Sequence, residues 1–228
     1  MAGDFLSLAH SQKPMVRVYA QRFETVEINA TSYGRPKPAT LERWYEITPS
    51  PFLFSVKANR YITHIRRLKE VEEPLQRLYK DLNLLKEKMG ALLFQLPPNL
   101  PYSEERIDAF FHLLDPHIPT ALEVRHQSFL TPGFFQLLRK HKVAFCVSDT
   151  AGHYPLAYEL TADFIYIRLH GSQVLCASPY TRKELEIWAE KIDTWGIQTY
   201  VYFDNDACGH AIANALQLKD ILVKTPRG

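Results

Sequence analysis

Short runs along this chain place apolar residues on one alternation and polar residues on the other, and that period of two constrains the fold more than any other feature. Val26-Glu27-Ile28-Asn29, Phe54-Ser55-Val56-Lys57, Leu122-Glu123-Val124-Arg125 and Ile165-Tyr166-Ile167-Arg168-Leu169-His170 all follow it. Successive side chains of a strand point to opposite faces, so each run is a strand with one greasy and one polar face. Seven strand-like runs are recognisable: Thr25–Thr31, Phe52–Asn59, Ala91–Pro97, Thr120–His126, Val143–Asp149, Asp163–Gly171 and Thr199–Asp206. Amphipathic stretches separate them at Leu41–Ile47, Leu68–Met89, Glu104–Leu114, Pro132–His141 and Lys183–Trp195, with a last one near Ala211–Leu222. Thr131-Pro132 reads as a helix cap followed by a first-turn proline, and Thr181 with Glu184 as a capping box.

Strands alternating with helices predict a parallel sheet, and seven or eight such units predict closure into a TIM-type βα-barrel. In such a barrel the greasy parity faces the helices. The polar parity faces the axis, with its charges near the carboxyl ends of the strands, where barrel enzymes build their sites. An eight-stranded barrel takes about 250 residues; this chain has 228. Its first strand is accordingly absent or degenerate, the one candidate being Phe5–Ala9. No linker or low-complexity stretch divides the chain, so a single domain is expected.

Composition narrows the setting. No apolar run approaches the roughly 18 residues that span a bilayer, and the start of the chain lacks a signal-peptide pattern. Three widely spaced cysteines, Cys146, Cys176 and Cys208, read as reduced residues of a cytoplasmic protein. A net charge of +2 does not favour a nucleic-acid or membrane surface. Oligomeric state is not encoded in any pattern here.

Several segments in order carry a family resemblance: Thr25-Val-Glu-Ile-Asn29 with Tyr33 and Pro36, Phe54-Ser-Val-Lys57 with Ile62-Thr-His64, and Phe94-Gln-Leu-Pro-Pro98. Leu122-Glu-Val-Arg-His126, Asp149, Tyr166-Ile-Arg-Leu-His-Gly171, Tyr202-Phe-Asp-Asn-Asp206, Gly209-His210 and Asn214 continue the series. Together they resemble the YecE-like family, domain of unknown function 72, from about Tyr19 to Leu222. The resemblance implies a TIM-type barrel and assigns no activity. Two departures stand out: no Gly-Thr-Ser-Gly-Trp-like opening strand is present, and Asp204 stands where the family more usually has asparagine.

If the parity holds, Glu27, Asn29, Lys57, Gln95, Glu123, Arg125, Arg168 and His170 converge on the axis, with Asp149 and Asn205 at strand ends of uncertain direction. Buried charges must pair, hold water or meet a ligand. Lys57, Arg125 and Arg168 suit a small anionic group, phosphate or sugar phosphate. His170 with Glu123 or Glu27 would supply acid–base chemistry. One alternative is a divalent metal on Glu27, Glu123, Asp149 and His170, in a phosphodiesterase acting on nucleic acid; the three cations on the same face oppose it. Another is a non-catalytic protein that senses the same ligand. The plainest is a self-neutralised network in which Glu27 and Glu123 pair with the cations.

Overall fold

The computed structural model describes residues 13–29, 34 and 36–224; Phe5–Ala9 and Tyr33 lie outside them. Seven parallel strands pair in chain order: β1 (Thr25–Ile28), β2 (Leu53–Lys57), β3 (Met89–Gln95), β4 (Thr120–Glu123), β5 (Ala144–Asp149), β6 (Phe164–Leu169) and β7 (Gln198–Phe203). Helices α2 (Pro38–Ile47), α3 (Glu72–Leu82), α4 (Glu104–Phe111), α5 (Pro132–Lys140), α6 (Arg182–Trp195) and α7 (His210–Lys224) alternate with them. A short helix α1 (Lys13–Tyr19) precedes β1 and was not foreseen from the pattern. Thr131 accepts a hydrogen bond from the Phe134 N–H at the start of α5, and Thr181 and Glu184 form the full capping box of α6.

The Leu68–Met89 stretch is broken rather than one helix. Arg67, Leu68 and Glu70 have φ of 50°, 66° and 50°, so helical backbone begins only at Glu72. Asn83–Lys88 is a 3-10 turn with Lys86 at φ 48°, ψ −130°. The break brings Lys88 under the end of α2, where its ammonium donates to the carbonyls of Tyr45 and Thr48. A cation there meets the negative end of the helix dipole.

Two apolar layers result. Phe54, Val56, Phe94, Leu122, Ile165 and Ile167 face the helices. Inside the barrel, Ala91, Leu93, Ala121, Ala144 and Cys146 leave room that Tyr166, Tyr200 and Tyr202 fill from β6 and β7. Mostly small residues on one side of the axis and aromatic ones on the other let the seven described strands pack closely around it.

The sheet runs from β1 to β7, and among the described residues no ladder joins these two edges. Side chains close the seam instead. Tyr202 on β7 donates its hydroxyl hydrogen to Ser55 Oγ on β2 (2.7 Å) and accepts from Thr25 Oγ1 on β1 (2.7 Å). Tyr166 donates to Glu27 across the same gap at 2.7 Å. Tyr202→Phe should therefore lower stability by about 1–3 kcal/mol, because two polar partners are left unpaired in a largely dry interior. Urea denaturation of the variant checks this; a change of a few tenths would mean that the seam is closed by packing alone.

Candidate functional site

The top of the barrel interior is a layer of charge organised by one residue. β6 delivers Arg168 to the axis with no exposed surface, and every N–H of its guanidinium is used. Nε and Nη2 hold Glu27 Oε2 and Oε1 at 3.1 and 2.9 Å. Nη2 also donates to Asp204 Oδ2 (2.8 Å), and Nη1 to Glu123 Oε2 (2.8 Å) and His170 Nε2 (3.1 Å). Its pKa is raised well above the ordinary value: desolvation opposes the charge, but Glu27, Asp204 and Glu123 outweigh it.

The carboxylates are equally committed. Glu123 Oε1 accepts from Gln95 Nε2 (2.8 Å) and Arg125 Nε (3.0 Å). Burial would raise the Glu123 pKa, yet the cations of Arg168, Arg125 and Lys57 hold it well below the usual carboxylate range. Asp204 behaves the same way: burial is outweighed by Arg168 and by the His170 hydrogen bond. A guanidinium can only donate, so His170 Nε2 must accept, and Nδ1–H then faces Asp204 Oδ2 at 3.2 Å. With both nitrogens engaged and 1% of its surface exposed, His170 orients Asp204 and has no lone pair left for a substrate.

The structure thus brings together Glu27, Gln95, Glu123, Arg125, Arg168 and His170. Lys57 lies within their field: burial first, then Arg168, lowers its pKa, while Glu123, Glu27 and Asp204 push it back up. Asn29 follows β1, and its buried Oδ1 meets no hydrogen-bond partner among the described residues. Asp149 and Asn205 belong to a different network on the outer parity. Asp149 accepts from the Tyr180 hydroxyl (3.0 Å) and the Ala151 N–H (3.2 Å). Asn205 donates to the Ser178 carbonyl and to Asn214 Oδ1, both at 3.0 Å. Asn214 and Tyr180 complete this latch, which fastens the loop after β6. That loop turns at Gly171 (φ 110°), where a Cβ would meet the Val174 carbonyl at 2.6 Å.

Asp204 is the member that alternation alone did not place. Tyr200 and Tyr202 share its parity and point inward as core, so β7 presents aromatic residues where a polar face was sought. Ser148 of β5, paired in register with Arg168, also reaches this layer. The oxygens that a metal would need on Glu27 and Glu123 already accept from Arg168, Arg125 and Gln95, and Asp149 lies in the other network.

Above this floor, a single π-helical turn (Tyr61–Ile65) follows β2 and holds His64 beside the strand ends. The His64 pKa falls to about 4, first through burial and then through Arg60, Lys57 and Arg125. Arg125 also lies 4.5 Å from the Tyr154 ring centroid, a cation–π arrangement. An apolar groove lies elsewhere, between α2, α3 and the π-turn, lined by Leu41, Ile62 and Leu78 among others.

A seven-stranded βα-barrel with a buried ion network at its strand ends is the class that fold and site define. The chain belongs to the family described as "Protein of unknown function DUF72", which matches residues 1–228. It is 26% identical over 248 residues to the UPF0759 protein YunF of Bacillus subtilis, covering 93% of this chain and 87% of that one. It is 30% identical over 118 residues to the UPF0759 protein YecE of Escherichia coli, covering 50% and 43%. A crystal structure of a DUF72 family protein from Thermotoga maritima superposes with a TM-score of 0.78 at 26% identity, covering 89% of this chain and 85% of that one. One from Enterococcus faecalis gives 0.82 at 21% identity, covering 92% and 89%, and shows the shared fold.

The cysteines Cys146, Cys176 and Cys208 are all free, and none of the described helices is long and apolar enough to cross a membrane. Removing one partner from a buried ion cluster leaves the others uncompensated. Arg168→Met should therefore cost about 3–5 kcal/mol near neutral pH. Glu123 and Asp204 have depressed pKa values in the folded protein, so the stability they contribute is present above the unfolded carboxylate range and is lost on acidification. The variant lacks that dependence, so its deficit should persist down to the ordinary carboxylate range and shrink only as the pH is lowered below about 4. Denaturation curves across pH check this; a deficit independent of pH would mean that the network is held by packing.

Proposed function

We propose that the strand ends bind a small anionic molecule of phosphate or sugar-phosphate type at a mouth formed by Lys57, Arg60, His64 and Arg125, and that Lys57 exchanges the proton in any acid–base step. The supporting observation is geometric: Lys57 ends β2, the π-helical turn that follows it carries His64, and Arg125 lies beside Tyr154 at the neighbouring strand end, while the His64 pKa is lowered first by burial and then by Arg60, Lys57 and Arg125. The floor is balanced, with Arg168, Arg125 and Lys57 set against Glu27, Glu123 and Asp204, yet Arg60, Lys57 and Arg125 still act on His64 as net positive neighbours. The potential that remains at the mouth attracts an anion. Arg125 offers a planar fork for an oxyanion and Lys57 a point charge.

The assignment of proton transfer follows from what is already committed. Both nitrogens of His170 and both oxygens of Glu123 are engaged, so these residues and Glu27 position the site instead of touching the substrate. Lys57 is the group whose basicity burial moves toward neutrality, as lysines that serve as bases require. The same commitment favours one second reading, a ligand-binding protein without catalysis. Turnover assays on the bound molecule distinguish the two, since a sensor leaves it unchanged.

Millimolar phosphate or a sugar phosphate should raise the melting temperature, with about 2.7 kcal/mol of stabilisation at a hundredfold excess over the dissociation constant. Lys57→Ala and Arg125→Ala should remove most of that gain. Arg139→Ala, on an outer helix where Arg139 pairs with Glu159, should keep it. A panel of phosphates, sulfate and carboxylates without effect would leave the network purely structural.

Protons give an independent check. A bound anion offsets the neighbours that depress His64, so its pKa rises from about 4 toward the ordinary value of 6.5. Binding between these two pH values should then take up a proton, read by calorimetry in buffers of different ionisation enthalpy, and His64→Gln should abolish the uptake. Proton release, or uptake that survives in His64→Gln, would place the anion away from this mouth.

A further inference from the structure

Outside the strand-end site, α4 and α5 bring a second set of chemistry-bearing side chains together. Asp108 and His112 lie four residues apart, so they share one face of α4 and its end. His141 follows α5 and caps it. His141 Nε2 is 2.7 Å from Asp108 Oδ1, and His112 Nδ1 is 3.7 Å from Asp108 Oδ2. One nitrogen or oxygen from each residue lies within 4.8 Å of the other two. The two imidazole centroids are 4.8 Å apart with the rings at 76°.

We propose that Asp108, His112 and His141 form a binding site for a zinc-like divalent transition metal, which fastens α4 to α5 at the end of the barrel opposite the charged floor. His141 precedes β5, which starts at Ala144, and this fixes the site at the amino ends of the strands, where barrels hold stability determinants.

Three observations carry the assignment. The donor set, two imidazoles and one carboxylate, is the one that zinc and its neighbours take, with water completing the tetrahedron. Ligands around tetrahedral zinc stand about 3.3 Å apart, given bonds of about 2.0–2.1 Å. The present separations therefore close with shifts on the order of 1 Å, small for side chains at a surface. Both histidines also occupy the residue just past the end of a helix, where the last carbonyls and the helix dipole favour a cation. Finally, His112 Nδ1 lies 2.7 Å from the Asp108 carbonyl oxygen. This backbone bond fixes the tautomer as in metal-binding imidazoles and leaves Nε2 as the ligand nitrogen, so the 3.7 Å approach of Nδ1 to Asp108 Oδ2 is not itself a metal-ligand separation.

Lys140 opposes the metal. Its ammonium donates to Asp108 Oδ1 at 3.0 Å and must swing away, which its exposed side chain can do. The simpler arrangement is a hydrogen bond between Asp108 and His141 that staples the helices, with His112 only capping α4 and packing its ring on His141. His112 therefore separates the two.

The test is titration of the full chain with Zn²⁺ alone, followed by calorimetry, with Co²⁺ as a spectroscopic probe. One saturable site with a Kd below about 100 μM is expected. His112→Ala should weaken it at least tenfold, whereas Lys140→Ala should tighten it, the metal-free melting temperature of each variant giving the cost of the lost contacts. The Co²⁺ complex should show d–d bands without a thiolate charge-transfer band, which excludes Cys176 and Cys208 as ligands. Zinc should also raise the melting temperature of the parent chain but not of His112→Ala. Zinc affinity unchanged in His112→Ala, a thiolate band lost in the Cys176→Ser, Cys208→Ser variant, or no saturation up to millimolar zinc would each overturn the proposal.

Discussion

A guanidinium with no exposed surface cannot stay charged in a protein interior unless carboxylates reach it from several directions, and Arg168 is met by three. They come from β1, β4 and the residue just after β7, so the neutralisation is a tertiary property of the barrel. Desolvating such a cation costs several kcal/mol, which only good geometry offsets. A slip of one residue in β1 or β4 would turn Glu27 or Glu123 to the helix side and leave Arg168 uncompensated. The ion cluster thereby fixes the register of strands whose apolar faces alone would tolerate alternatives, and it draws β7 against β1.

How much of this the residues disclose depends on what each strand packs. Where polar and apolar side chains alternate, as in β1, β2, β4 and β6, direction and depth are legible, and Glu27, Lys57, Glu123 and Arg168 fall where the parity puts them. β5 and β7 are opaque for a physical reason. Their inward residues are Ala144 and Cys146 on one and Tyr200 and Tyr202 on the other, small or aromatic groups that fit an interior as well as an outer face. The inward position of Asp204 is hidden for the same cause, and with it the third negative charge. A count from sequence finds three cations against Glu27 and Glu123; the structure adds Asp204 and the floor balances. The broken Leu68–Met89 stretch illustrates another limit, because a 3.6-residue period carries no information on the positive φ of Arg67, Leu68 and Glu70.

Within the balanced cluster, Arg168, Glu123 and His170 form the innermost part, and Lys57 and Arg125 are its outer cations. Every hydrogen-bonding atom of Arg168, Glu123 and His170 that points into the cluster is matched, so these residues have little freedom to follow a ligand. Lys57 and Arg125 extend from the same strands toward the π-helical turn and Tyr154, and their charges are felt by His64.

Among the described residues, the outer backbone groups of β1 and β7 meet no ladder, and sheet edges in general are templates on which a further strand can add. Here β1 is only four residues long, and along the seam the buried charges of Glu27 and Arg168 lie directly behind the backbone. An invading strand would have to separate Tyr202 from Thr25 and Glu27 from Arg168, exposing a desolvated ion pair to a hydrophobic guest. Among the described residues, the cluster that sets the register therefore also makes this seam costly to part.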